Sequence, residues 1–292
     1  MIALALIAPL VLTAWLGGAE ALQRVKHFPL GLLLLMLVMA FLCWNLNAAR
    51  LRLMLGGRAG RLGQRGALGI ELASKFALCA TPGGSGGPAT LFFLAMLSGL
   101  VLFSMLSDTQ WPHQSLVQWA LVGLAFMAAL VIVVMRYLPS LLRSPGVNTP
   151  WPSRYQRRWL VRRLLRCRHA LKVTLKLPRS ILIAMLALTT AHWLMRYSLL
   201  YLAVLGVGGH ADWMWTFLTQ MLAMAASQFS FLPGGAGAAE VGVGSLLLPL
   251  MEREQAAAAV LVWRLVSYHL YLAAGAPLFV LYSYRMLRRS AA

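Results

Sequence analysis

Long apolar runs alternate along the chain with short basic gaps and with Pro/Gly-rich interruptions. Complete spans are expected at approximately 2–18, 29–49, 89–107, 116–138, 179–204 and 256–284. Each approaches the ~20 apolar residues that cross a hydrocarbon core as a helix. The apolar/polar alternation of a membrane barrel strand is absent, so helices are the way to satisfy the backbone in lipid. Two further apolar stretches, 67–88 and 214–251, are interrupted midway by Gly and Pro. These read as re-entrant helical hairpins, because irregular backbone at membrane depth survives only where protein buries it or a wet cavity receives it. The fold expected is an all-α polytopic membrane protein of about six transmembrane helices plus two broken hairpins.

Composition agrees with this pattern. The 292 residues are 60% hydrophobic and 11% charged, against about 25% charged in an ordinary soluble domain. The net charge of +19 would suggest nucleic acid in a soluble protein, but here the basic residues gather in the gaps, as cytoplasmic loops require. Arg50, Arg52, Arg58, Arg61 and Arg65 occupy the gap 50–66, and ten Lys/Arg fall in 139–178, with no acid in either. Arg285, Arg288 and Arg289 lie in the tail, whereas 108–115 and 205–213 hold no Lys or Arg. Both termini are therefore expected in the cytoplasm. The opening run, Met1 to Leu16, has no basic residue before Arg24 and reads as a first span, not a signal peptide.

The chain accordingly divides into an N-terminal membrane half (1–138), a cytoplasmic segment (139–178) and a C-terminal membrane half (179–292). Within the middle segment, 139–153 is a Pro- and Ser-rich linker. Residues 154–177 form a basic amphipathic helix, with Leu160, Leu164, Cys167, Leu171 and Leu175 facing away from Arg158, Arg162, His169, Lys172 and Lys176.

The two interruptions match. Thr81-Pro82-Gly83-Gly84-Ser85-Gly86-Gly87 and Leu232-Pro233-Gly234-Gly235-Ala236-Gly237-Ala238 share P-G-G-x-G, and their prolines are 151 residues apart, about half the chain. One entering from each side would make an inverted repeat, with a binding site where the broken elements meet. Proline ends a helix, glycine admits positive φ and close approach, and a restarting helix offers unpaired N–H groups to an anion. Alternatively, the glycines serve tight helix packing.

These residues resemble the transmembrane region of lysylphosphatidylglycerol synthases and related flippase-like membrane proteins. The resemblance rests on NAARLRLML (47–55), TPGGSGG (81–87), FLPGGAGAAE (231–240) and VLVWRLVSYHLY (260–271). It implies the handling of a phospholipid or lipid-linked anionic headgroup in a bacterial cytoplasmic membrane. In the full synthases a soluble aminoacyl-transferase domain follows this region. The chain ends at Ala292, so synthase activity is expected to be absent.

Charges inside apolar segments are expensive and mark candidate function. Pro82, Gly83, Gly84, Gly86, Pro233, Gly234, Gly235 and Gly237 are the expected substrate-binding backbone, with Glu240, Arg264, Glu71 and Lys75 as charged partners. Arg264 could hold a phosphate with Glu240 as its partner, or the two could form a structural ion pair. Glu71 and Lys75, four apart, could be a local pair. Arg196 is expected to reach towards the outer interface, and His192 and His269 to make buried hydrogen bonds. No GxxxxGK[ST], GxSxG or HExxH occurs, the three cysteines have no zinc spacing, and the chain holds seven acids. No catalytic residue, metal or cofactor is expected. The leading expectation is a non-enzymatic lipid translocase whose partners are anionic membrane lipids. The alternative is an accessory subunit presenting a lipid to a separate synthase or glycosyltransferase. A lipid-modifying intramembrane enzyme is the third.

Overall fold

The computed structural model of the protein describes residues 17–55, 62–80, 176–227 and 233–290 continuously, together with positions 7 and 11 and scattered helical positions from 122 to 174. The expected span 89–107, most of 2–18 and the first Pro–Gly break lie outside the described residues. The described residues are helix and turn, with no strand among them. The chain divides into two compact units, Met1–Ser85 with Ala184–Ala292, and Gly86–Ile183. The first unit thus draws helices from both membrane halves.

In that unit, α1 (Leu30–Leu55) follows Pro29. Its buried residues Met36, Ala40, Cys43, Trp44, Asn47 and Ala48 recur at helical spacing. The opposite face is apolar too: Leu34 and Phe41 remain 53% and 54% exposed. A helix at a water interface would be polar there, whereas one that is apolar all round suits lipid. Arg52 Nε donates to the Leu62 carbonyl at 3.1 Å and Gln64 Nε2 to the Asn45 carbonyl at 3.0 Å. These bonds fold α2 (Gln64–Ala80) back along α1.

The chain returns to this unit in α3 (Arg179–Gly206), whose residues from Ala184 onwards belong to it. Reciprocal contacts between Cys43 and His192 join α1 to α3: Cys43 Sγ to the His192 carbonyl at 3.6 Å, and His192 Nδ1 to the Cys43 carbonyl at 3.2 Å. Next come α4 (Trp213–Ala226), a 3-10 turn Pro233–Gly235 and α5 (Ala238–Leu247). Trp215 Nε1 donates to the Leu246 carbonyl at 3.3 Å, Gly242 abuts Ala223, and Gly235 abuts Ser227. These pairs run in opposite sense, so α4 and α5 form an antiparallel helical hairpin with the second Pro–Gly break at its tip.

The last helix is continuous from α6 (Arg253–Arg264) through a π turn (Leu265–His269) into α7 (Leu270–Ser290). It begins three residues before the expected 256 because Glu252 and Gln255 form a capping box. Along Ala256–Ala259 it is fully buried, small side chains letting neighbouring helices close in, as at Gly17, where an added Cβ would come within 2.9 Å of the Ala257 Cβ. Arg24 Nη2 and Glu252 Oε2 pair at 2.9 Å beside that start. Further on, α7 lies antiparallel to α2. Gly69 faces Tyr282, Phe76 meets Phe279 at 5.3 Å between ring centres, and Gly275 sits where a Cβ would come 2.6 Å from the Leu72 carbonyl oxygen.

Among the described residues α1 and Arg253–Arg288 are each long and apolar enough to cross a membrane. In the second unit, positions described within 116–138 are helical and exposed. Within 154–177, Trp159, Arg162, Arg166 and His169 are exposed and Val161 and Leu165 half-buried, while Leu160, Leu164, Cys167, Leu171 and Leu175, the expected apolar face, lie outside the described residues.

Candidate functional site

The second break is built by its glycines. Gly234, Gly235 and Gly237 have φ of 63°, 69° and 80°, the left-handed region that other residues adopt at a cost. The space beside two of them is taken by protein. A Cβ on Gly234 would run into the Tyr268 ring, and one on Gly235 would come within 2.6 Å of the Ser227 Cβ. At these two positions the glycines therefore admit close packing, one of the two roles their motif allowed.

After the turn α5 starts without a side-chain cap, and Glu240 stands in its first turn. A carboxylate there is favoured by the positive end of the helix dipole. It is also paired. Arg264 Nε lies 2.7 Å from Glu240 Oε1, with side-chain exposures of 3% and 1% respectively. Arg264 Nη2 further reaches the Gly235 carbonyl at 3.5 Å, and its guanidinium lies 4.9 Å from the Trp263 ring centre and 5.3 Å from that of Tyr268. The second carboxylate oxygen, Glu240 Oε2, is buried without a hydrogen-bond partner among the described residues. The ion pair thus pins the Pro–Gly turn and α5 to the last helix.

Tyr268 links this assembly to the N-terminal half. Its hydroxyl donates to the Cys79 carbonyl at 3.3 Å, and Ala236, Tyr268 and Leu272 pack with Phe76 and Cys79. The last turns of α2 therefore rest against the second break. The first break begins at Thr81, immediately after α2 ends, and Pro82, Gly83, Gly84 and Gly86 themselves fall outside the described residues. On α2, Glu71 Oε1 and Lys75 Nζ are 3.8 Å apart, the side chains 14% and 37% exposed. They form the local pair that their spacing allowed.

Arg196 departs from expectation. It does not reach for the outer interface: Nη2 donates to the Ser267 carbonyl at 3.3 Å, and the guanidinium lies 5.1 Å from the Tyr271 ring centre. Two features explain this. The helix extends to Gly206, so Arg196 stands well back from its end. The π turn also disturbs the regular hydrogen-bond ladder, leaving its groups to side chains, as where His269 Nδ1 lies 3.1 Å from the Arg264 carbonyl. No sequence signal announces a π turn, which is why the convergence of Arg196, Ser267 and Tyr271 was not foreseen. His192 makes the buried hydrogen bond expected of it, whereas His269 is half-buried, its Nδ1 beside the Arg264 carbonyl.

Helix ends, positive-φ glycines and five charged side chains (Glu71, Lys75, Arg196, Glu240 and Arg264) thus surround one region of the first unit. No individual protein of curated function matches the chain. The family described as "Lysylphosphatidylglycerol synthase TM region" matches residues 1–275. The chain therefore belongs to that family and is an integral membrane protein.

Proposed function

We propose that this protein is a multi-pass flippase-like protein of the bacterial cytoplasmic membrane that binds and translocates a phospholipid or lipid-linked anionic headgroup. The broken hairpin α4–α5 is re-entrant in this reading, its tip at membrane depth, and the P-G-G-x-G sequence after α2 would be the matching break of an inverted repeat. The observation that carries the reading is the meeting of the α2 end with the Pro233–Gly237 turn through Tyr268, beside a buried Glu240–Arg264 pair. Charged groups are retained at such cost inside apolar bundles chiefly where something polar passes, and broken helices meeting near the midplane mark binding sites in repeat-built transporters.

The headgroup would move through the polar interior while its acyl chains stay in lipid. Rocking of one half against the other would alternate its exposure. No nucleotide-binding or hydrolytic motif accompanies this arrangement in the sequence, in keeping with a non-enzymatic role. The exposed basic face at Arg162, Arg166 and His169 supports a second reading, an accessory subunit docking a synthase or glycosyltransferase. Reconstituted vesicles separate the two. Accelerated movement of a fluorescent phospholipid between leaflets by the protein alone supports translocation; no movement, together with stable copurification of a lipid-modifying enzyme, supports the accessory role.

A further inference from the structure

Arg264 and Arg196 flank the same π turn but differ in what they have left to offer. Arg264 is 2% exposed and is held by a carboxylate, a backbone carbonyl and two aromatic rings. Recruiting it to a ligand would strand Glu240 in the interior, a costly exchange. Arg196 is half-buried and holds one backbone carbonyl and one aromatic face. Among the described residues no carboxylate lies within ion-pair distance of it. A guanidinium carries five N–H donors in a planar fork suited to two oxygens of one phosphate. With one N–H on Ser267 and Tyr271 supporting the plane, most of that fork is unused among the described residues.

Its surroundings are cationic. Lys75 lies within electrostatic range of Arg196, Glu71 and Arg50, and Cys79, one turn beyond Lys75, within range of Arg196, Lys75 and Arg264. Arg50 Nη1 donates to Thr189 Oγ1 at 3.4 Å, two helical turns before Arg196 on α3. Among the described residues Glu71 and Glu240 are the buried or half-buried carboxylates of this region, and each has its own cation. Among the described residues Arg50 and Arg196 have no carboxylate partner. Unneutralised cations inside an apolar bundle call for an anion.

We infer that Arg196, seconded by Lys75, is the anion-binding centre of the interior and takes the phosphate of an anionic glycerolipid, whereas Glu240–Arg264 is a fixed brace. This inference rests on the lipid-handling reading above for its choice of ligand. Arg50, at the end of α1 that the charge asymmetry assigns to the cytoplasm, would meet the headgroup first, and Arg196, about 10 Å further along α3 than Thr189, would hold it.

Equilibrium binding to the purified full chain in detergent tests this, with dioctanoyl-phosphatidylglycerol, dioctanoyl-phosphatidylcholine and inorganic phosphate as probes. The wild type should prefer phosphatidylglycerol to both. Arg196→Gln should weaken phosphatidylglycerol binding at least tenfold, Lys75→Gln severalfold, and Arg24→Gln, a pair remote from this region, not at all. Arg196→Lys keeps the charge without the fork and should fall between wild type and Arg196→Gln; if the glutamine variant does not fold, this variant decides. Unchanged phosphatidylglycerol affinity in the folded Arg196 variants would overturn the inference. Inorganic phosphate binding as tightly as the lipid would overturn the lipid assignment. Because binding is read without transport, vesicles in which the wild type moves no lipid would remove the translocase reading and leave this result standing.

Discussion

A guanidinium and a carboxylate buried together in an apolar bundle are costly to separate. Losing one partner of such a pair leaves a bare charge and costs about 3–5 kcal/mol, while replacing both is far milder. Glu240 and Arg264, each almost wholly buried, should behave so. Arg264→Ala should lower the thermal midpoint in detergent sharply, and adding Glu240→Ala should recover most of the loss. Equal loss in single and double variants would mean that the pair is not coupled. Gly234 supplies a second residue-scale test. Its positive φ and the Tyr268 ring beside it predict that Gly234→Ala costs about 1–3 kcal/mol. Trimming the ring in Gly234→Ala/Tyr268→Ala should not recover the backbone part of that cost.

Some of this was legible from residue types. Acids are so few in the chain that Glu240 and Arg264, both inside apolar runs, stood out as partners before any geometry. The glycines of P-G-G-x-G announced positive φ, but not whether a ligand or protein would fill the space beside them; Tyr268 and Ser227 do so at Gly234 and Gly235. The direction of Arg196 was illegible, because it depends on a carbonyl in a π turn, and hydrophobic periodicity carries no trace of such a turn.

Among the elements, the hairpin α4–α5 makes the sharpest prediction. Ala223 and Gly242 face one another, a Cβ built on Gly242 lying 3.1 Å from that of Ala223, so that a yield of a few tenths of an ångström brings the pair into the ~3.5–4.5 Å range of disulfides. In a background with the native cysteines replaced, Ala223→Cys/Gly242→Cys should form an intrachain disulfide on mild oxidation. Failure to crosslink in folded protein would contradict the antiparallel hairpin. At the α2–α7 contact, Gly275 is pressed against the Leu72 carbonyl and Phe76. Gly275→Val should push α2 away and destabilise the fold by ~1–3 kcal/mol, whereas Gly31→Val, with open space around it, should be tolerated.

Element boundaries show why apolar length alone misleads. The run expected at 29–49 continues as helix to Leu55, because Arg50 and Arg52 find Thr189, Leu62 and Gln64 as partners and need not end it. The stretch 67–88 is helical from Gln64 to Ala80, its start advanced into polar residues that bind α1. The break of 214–251 fell where Pro and Gly required it.

For the whole molecule, the outward faces of α1 and α7 are lined with Leu, Val, Phe and Met, Leu30 and Met286 among the most exposed at 68% and 74%. Charge gathers instead around the π turn and the Pro–Gly turn. Within the first unit the buried side chains are mostly apolar as well, so these few buried charges stand out, and charges kept at such a cost inside an apolar bundle are where carriage of a polar group through lipid would act. The most direct measurement is therefore leaflet exchange in reconstituted vesicles, read by dithionite quenching of fluorescent phosphatidylglycerol. Wild-type protein should make more than half of the label accessible at a rate well above protein-free vesicles, and Arg196→Gln should abolish that gain. A rate equal to protein-free vesicles, with the wild type folded and inserted, would contradict translocation.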